Sequence, residues 1–374
     1  MTLAVSLALA AAVLAALVYL ELRFRRRYQM VHGKRYFVAL KFPWDKMPVV
    51  AHPFLSFAYR KNSFIDINQR LPYDLHPYEY FSFHEPIRIN NMGHFGPDFS
   101  THKPADVLRV ACLGHSTTGN NIADSRRDYT YPGFLQEHAQ RMLDEAGAGR
   151  RVEVYNCGIG GWLTADIMID FMLNIVHTRP DYAVLKLGYN DLYMHLNTGF
   201  QTDYTHSRKC LGEVLGDIRK GHRVPKIPFW TSYEFLTDRL FGTGNVRNEV
   251  LRRINRKPDP RCGFENLLVE RSLVENILVV CRHNGIRPIL ASFPYYNFKP
   301  SELTDRIAQG VLKENALFEE LSREFGTPFV DLANLVPFTA DYFCDEVHFT
   351  PKGMDLVGAL FARAVADDWL ASRT

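Results

Sequence analysis

The chain has 374 residues, 47 % hydrophobic and 23 % charged, with a net charge of +3. This is the balance of a globular protein with a real core, long enough for one large α/β domain plus appendages or for two small domains. So small a charge, with no basic patch interleaved with aromatics, gives no nucleic-acid partner.

The N-terminus differs from the rest. Leu3 to Leu20 is an uncharged run of 18 residues, followed at once by Arg23, Arg25, Arg26 and Arg27. Eighteen residues is the lower limit for spanning a bilayer. A cleavable signal peptide carries its positive charge before the apolar stretch and a small-residue cleavage site after it; here that order is reversed. The all-round apolarity and the abrupt arginine cluster count against a buried core helix. The segment therefore reads as an uncleaved, single-pass membrane anchor over residues 1–22. The arginines on its C-terminal side give one vote for a cytoplasmic main domain, and the side of the membrane stays open.

Residues 23–105 are rich in aromatics and prolines, as in Phe42-Pro43-Trp44 and Tyr78-Glu79-Tyr80-Phe81. This composition is not that of a disordered linker, and it predicts an extension packed on the main domain. From residue 106 strands and helices alternate. Val107 to Leu113 reads as a buried strand, Tyr131 to Ala146 as a helix and Val152 to Asn156 as a second strand. Thr164 to Val176 is a helix and Tyr182 to Leu187 a third strand. Phe264 to His283 is a helix, Arg287 to Phe293 a fourth strand, Glu302 to Phe325 a helix and Phe329 to Leu332 a short fifth strand. Lys352 to Leu370 is a final helix, with Thr350 as N-cap and Pro351 at its first position.

Five such alternations predict an α/β fold: a five-stranded parallel sheet with helices on both faces. Nearly continuous apolar strands, such as Ala183-Val184-Leu185, fit a sheet buried on both sides. The stretch from 192 to about 262 breaks the alternation and is too long for an ordinary loop. It reads as an insertion at the end of the sheet where ligands bind, a lid or specificity wall carrying His195, His206, Trp230, Tyr233 and Phe235. Of six cysteines none forms a C-x-x-C pair, which argues against a zinc knuckle or a thioredoxin-like site. Cys112 and Cys281 lie in apolar runs and read as buried small hydrophobes; pairing among the others is open.

Four segments fall just after a strand or between the last strand and the last helix. They are Gly114-His115-Ser116-Thr117-Thr118, Asn156-Cys157-Gly158-Ile159-Gly160-Gly161, Gly188-Tyr189-Asn190-Asp191 and Asp345-Glu346-Val347-His348. In a parallel sheet these positions converge on the ligand site. Ser116 is a candidate nucleophile, but a hydroxyl needs a base to take its proton. His348 is the candidate base, and Asp345 the carboxylate that would hold its tautomer and stabilise the imidazolium. The Ser116 and Gly161 backbone N–H groups and the Asn190 side-chain amide are candidate oxyanion donors. His115 reads as structural, since adjacent side chains diverge. An imidazole base predicts a rate that falls below about pH 6.5. None of this chemistry asks for a metal or an organic cofactor.

The four segments resemble those of the SGNH/GDSL hydrolase superfamily, over roughly residues 106 to 370. The resemblance implies a three-layer α/β/α, flavodoxin-like SGNH hydrolase fold in a domain of residues 106–374. It implies Ser116 as nucleophile, Gly161 and Asn190 as oxyanion donors, and Asp345 with His348 as the other triad members. The family pattern runs from an Asn to a Gly five positions later, which selects Gly161. Asn90-Asn91-Met92-Gly93-His94-Phe95-Gly96-Pro97 also resembles a segment upstream of the serine motif in an anchored or exported branch. The chain departs from the pattern at His115, where the family has Asp. The implied activity is hydrolysis of an acetyl or short acyl ester on a small molecule, glycan or lipid, near the membrane. The alternatives are O-acyl transfer to a cell-envelope glycan and a non-catalytic anchored module.

Overall fold

The computed structural model describes residues 2–32, 49–65, 87–119, 130–197, 199–206, 263–264 and 267–373. Helix α1 (Thr2–His32) belongs to one compact unit and the described residues from 49 onward to another. Within α1, Val5–Arg23 is long and apolar enough to cross a membrane, with a mean hydropathy of 2.3. A signal sequence near the N-terminus passes the same test of length and hydropathy.

The second unit is built on a five-stranded parallel sheet. Its strands are β5 (Val107–Gly114), β6 (Arg151–Gly158), β7 (Tyr182–Lys186), β8 (Arg287–Ala291) and β9 (Phe329–Val330), in the order β6-β5-β7-β8-β9. The strand carrying the serine motif is thus flanked on both sides. Every residue of β5 and of β7 is buried, as expected where helices cover both faces.

Alternate residues of each strand enter two cores. On one face Val110, Cys112, Val152, Tyr182, Val184 and Ile289 pack with helices α3 (Tyr131–Glu145) and α9 (Pro351–Ala371). On the other, Ala111, Leu113, Tyr155, Ala183, Leu185 and Leu290 pack with α4 (Thr164–Leu173), α6 (Leu268–His283) and α7 (Glu302–Phe325). The result is a three-layer α/β/α architecture. Cys112 and Cys281 are buried and unbridged, as are Cys157 and, partly, Cys344; Cys210 and Cys262 lie outside the described residues.

Two antiparallel ribbons precede the sheet: β1 (Val49–Val50) with β2 (Ala58–Tyr59), and β3 (Ser63–Ile65) with β4 (Ile87–Ile89). Polar contacts tie the chain around them to α4 and to the turn before it. The Ser56 N–H and hydroxyl donate to Asp166 Oδ1, each at 2.9 Å, and the Trp162 indole N–H donates to the Phe57 carbonyl at 3.1 Å. Asn90 accepts from the Met92 and His94 N–H groups at 2.9 and 3.0 Å, and buried His94 meets Asp170 at 3.0 Å. The Asn90–Pro97 motif thus acts here as a folded clasp against α4.

The fourth strand ends at Ala291 rather than Phe293, and three further boundaries differ from the periodicity for visible reasons. The helix expected from Phe264 begins at Leu268, because the buried Phe264 ring lies over Gly310 of α7, where a Cβ would stand 2.7 Å from it. The fifth strand ends at Val330, because Asp331 turns to take the Ser292 hydroxyl at 2.8 Å and opens the short helix α8 (Leu332–Leu335). The helix from Thr164 ends at Leu173 and passes through a 3-10 turn at Ile175–Thr178. Of the insertion expected over 192–262, residues 198, 207–262, with Trp230, Tyr233 and Phe235, lie outside the described residues. Its described part forms helix α5 (Leu192–His195) and a largely exposed turn that buries the Tyr204 side chain.

Candidate active site

Ser116 opens a four-residue helix, α2 (Ser116–Gly119), directly after β5. The chain reverses so sharply there that α2 lies against β6. A Cβ at Gly158 would come within 2.1 Å of the Gly119 nitrogen and 2.6 Å of the Thr118 carbonyl carbon. Only glycine admits backbone that close. The Thr118 and Gly119 N–H groups both return to the His115 carbonyl at 3.0 Å, which closes the turn and leaves Ser116 half-buried beneath the surface.

His348 and Asp345 come from the loop between α8 and α9. Asp345 Oδ1 accepts the Val347 and His348 N–H groups at 2.8 and 2.7 Å, so the carboxylate organises its own loop. Its Oδ2 meets His348 Nδ1 at 2.7 Å. His348 Nε2 lies 2.9 Å from Ser116 Oγ, across 232 positions of sequence. Burial pushes the Asp345 carboxyl up, but its hydrogen bond to the imidazole, the imidazole charge and the two backbone donors outweigh that and hold it below the usual range. Thr350 then caps α9, its side chain accepting from the Gly353 N–H. A helix packed across the sheet is therefore anchored two residues after the imidazole.

Gly161 stands exposed after β6 at φ +79°, with open space where a Cβ would be. The Asn190 Nδ2 donates to the Trp162 carbonyl at 2.9 Å. That bond holds the third segment against the second, leaving one amide hydrogen for other work.

Behind these groups lies a buried polar layer that the motifs only partly announce. Lys186, at the end of β7, is fully buried. Its Nζ donates to Thr117 Oγ1 at 2.7 Å and sits 4.4 Å over the Phe293 ring and 5.1 Å over that of Phe349. Burial pushes its ammonium down to about 7. Asp191 accepts the Thr164 N–H and hydroxyl and the Tyr204 hydroxyl. Burial raises it to about 6, with the Glu270 charge adding to the rise and the Thr164 and Tyr204 bonds opposing it. Glu270 in turn meets His195 Nε2 at 2.6 Å. His115 is buried, with Nε2 3.6 Å from Asp191 Oδ2, so its ring belongs to this layer. Among the described residues no group of three or more His, Cys, Asp or Glu is arranged to hold a metal ion.

Sequence reasoning missed Lys186, Glu270 and Glu314. For two of them a signal was present. Lys186 is a cation ending an otherwise apolar strand, and Glu314 occupies the apolar stripe Ile307, Val311, Phe318 and Leu321 of α7.

Residues 112–356 match the model of the GDSL-like lipase/acylhydrolase family. Solved structures that resemble the chain include a GDSL-like lipase from Bacteroides thetaiotaomicron, at 16 % identity over 70 % of this chain and 89 % of that one, with a TM-score of 0.38. An acetyl xylan esterase is 15 % identical over 69 % of this chain and all of its own, with a TM-score of 0.41. A lipase/acylhydrolase from Enterococcus faecalis is 18 % identical over 70 % and 96 %, with a TM-score of 0.39. No curated protein matches the sequence. With about two thirds of its length matched, the four motif segments inside or bordering that match and a five-stranded parallel sheet beneath them, the chain belongs to the GDSL-like lipase/acylhydrolase family, hydrolases that act on ester bonds.

Proposed function

We propose that this esterase works through an acyl-serine intermediate, with Ser116 as nucleophile, His348 as general base and Asp345 as the group that orients and stabilises the imidazole. The observation that carries the reading is the chain of contacts from Ser116 Oγ to His348 Nε2 at 2.9 Å and from His348 Nδ1 to Asp345 Oδ2 at 2.7 Å. With Nδ1–H held on Asp345, Nε2 is left with its lone pair toward the serine. As Oγ attacks the ester carbonyl carbon, its proton passes to Nε2, and the carbonyl oxygen takes the negative charge. The Ser116 and Gly161 N–H groups and the Asn190 amide are the donors proposed for that oxygen. Collapse expels the alcohol, which takes the proton from His348. Water then repeats the sequence on the acyl-serine and releases the acid.

The proposed substrates are acetyl or short acyl esters of a carbohydrate or lipid, with α1 as a membrane anchor that keeps the domain near them. The reading is tested by Ser116→Ala. The variant is expected to lose essentially all hydrolysis of 4-nitrophenyl acetate and all labelling by a fluorophosphonate probe, while keeping the wild-type melting temperature. Full activity in that variant would overturn it.

A further inference from the structure

Asn190 stands on a turn that few sequences make. Gly188 has φ +101° and Tyr189, not a glycine, has φ +66°, and the Asn190 N–H closes on the Gly188 carbonyl at 2.8 Å. A bulky residue in the left-handed region is strained and persists only where its surroundings over-determine it.

The surroundings here are a buried acid and an aromatic stack. Glu314 reaches from α7 beneath the turn, and its Oε2 accepts the Tyr189 N–H at 3.1 Å. A Cβ on residue 188 would lie 2.5 Å from that same oxygen and 2.9 Å from the carboxyl carbon, so the carboxyl fills the space that glycine leaves. The other oxygen, Oε1, is buried without a hydrogen-bond partner. Burial raises the acid well above the usual range, and the charges of Asp191 and Glu270 add to the rise. The Tyr189 ring is stacked on Phe293 at an interplanar angle of 7°, and its hydroxyl shares a hydrogen bond with that of Tyr193 at 2.9 Å. Ring and N–H are thus held from two sides, and Asn190 is the next residue.

We propose that Glu314 is a positioning residue for the oxyanion amide. Its carboxyl clamps the Gly188–Tyr189 turn from below and so sets the direction of the Asn190 side chain. One amide hydrogen is committed to the Trp162 carbonyl; the direction of the other follows from the turn. Glu314 touches no reacting atom. The inference rests on the proposal that Asn190 is an oxyanion donor, and the test separates the two.

Glu314→Met fills the same space without an acceptor, and Glu314→Gln keeps an acceptor for the Tyr189 N–H. Both are measured on 4-nitrophenyl acetate in the full chain, with enzyme counted by fluorophosphonate titration. Glu314→Met is expected to lower kcat about 10- to 100-fold, part of the ~10²- to 10³-fold worth of an oxyanion donor, with KM within about threefold. Glu314→Gln should recover kcat to within about threefold of wild type. In an Asn190→Ala background, Glu314→Met should cost less than about twofold, because the group it aims is gone. If Glu314→Met does not fold, Glu314→Asp, which shortens the reach to Tyr189, takes its place in the cycle. An Asn190→Ala variant with wild-type kcat sinks the oxyanion reading and this proposal with it. An Asn190→Ala variant that is impaired, combined with a Glu314 effect as large in its background as alone, leaves that reading standing and overturns the role of Glu314.

Discussion

Asp345 does two separate things with its two oxygens, and they have separable consequences. Oδ2 faces the imidazole, while Oδ1 ties down the backbone of residues 347 and 348. Asp345→Asn presents an amide that can turn its oxygen to only one of these tasks. Its kcat on 4-nitrophenyl acetate should fall about 10²- to 10⁴-fold. Because its native value is depressed, the ionised Asp345 stabilises the fold above the ordinary carboxylate value, and that contribution disappears as pH falls through the lower native value. The Asn variant should lack this part of the acid-side loss in a denaturant titration. His115→Asp is expected to behave in the opposite way. It sets a carboxyl on the side of buried Asp191, so activity per folded molecule should change far less than in Asp345→Asn. The melting temperature should fall, and fall further as pH rises through about 6 and Asp191 ionises. A His115→Asp protein as stable as wild type at pH 8 would remove His115 from the buried layer's balance.

The elements carry the site through close approach. Helix α2 rests on β6 only because Gly158 has no side chain. Gly158→Ala should cost about 1–3 kcal/mol through forced backbone shift and lower kcat together with stability, measured by urea denaturation and turnover. Much of this frame was legible in the sequence. Buried parallel strands are short apolar runs; three of the four chemical segments follow one directly and the fourth lies between the last strand and the last helix, so the topology directs Ser116, Gly161, Asn190 and His348 to one end of the sheet. The boundaries at Phe264 and Val330 were not legible, because they depend on Gly310 and Ser292, partners that only the folded chain supplies. Glu314 was missed for a related reason. In a helix read by periodicity a lone carboxylate passes as a flaw in the stripe, and its meaning lies in the backbone of residue 189, 125 positions away.

At the scale of the molecule, α1 and the esterase unit are distinct bodies with distinct solvents proposed for them. If Val5–Arg23 spans a bilayer, the full chain should stay with membranes after alkaline carbonate extraction, and a chain lacking residues 1–32 should be released with its esterase activity. Release of the full chain by carbonate would make α1 something other than an anchor. The esterase unit has a global property of its own, which follows from the acids packed behind Asn190. Glu314 holds its proton well beyond the ordinary range and Asp191 up to about 6; an unfolded chain has already released both by about pH 5.5. Folding in that window therefore draws hydrogen ions from the medium, and this contribution to stability declines as the solution is made more alkaline. The calorimetric heat of unfolding should accordingly depend on the ionisation enthalpy of the buffer, differing between acetate and an amine buffer at the same acidity. The enzyme would then register the composition of its surroundings through groups that no substrate ever meets.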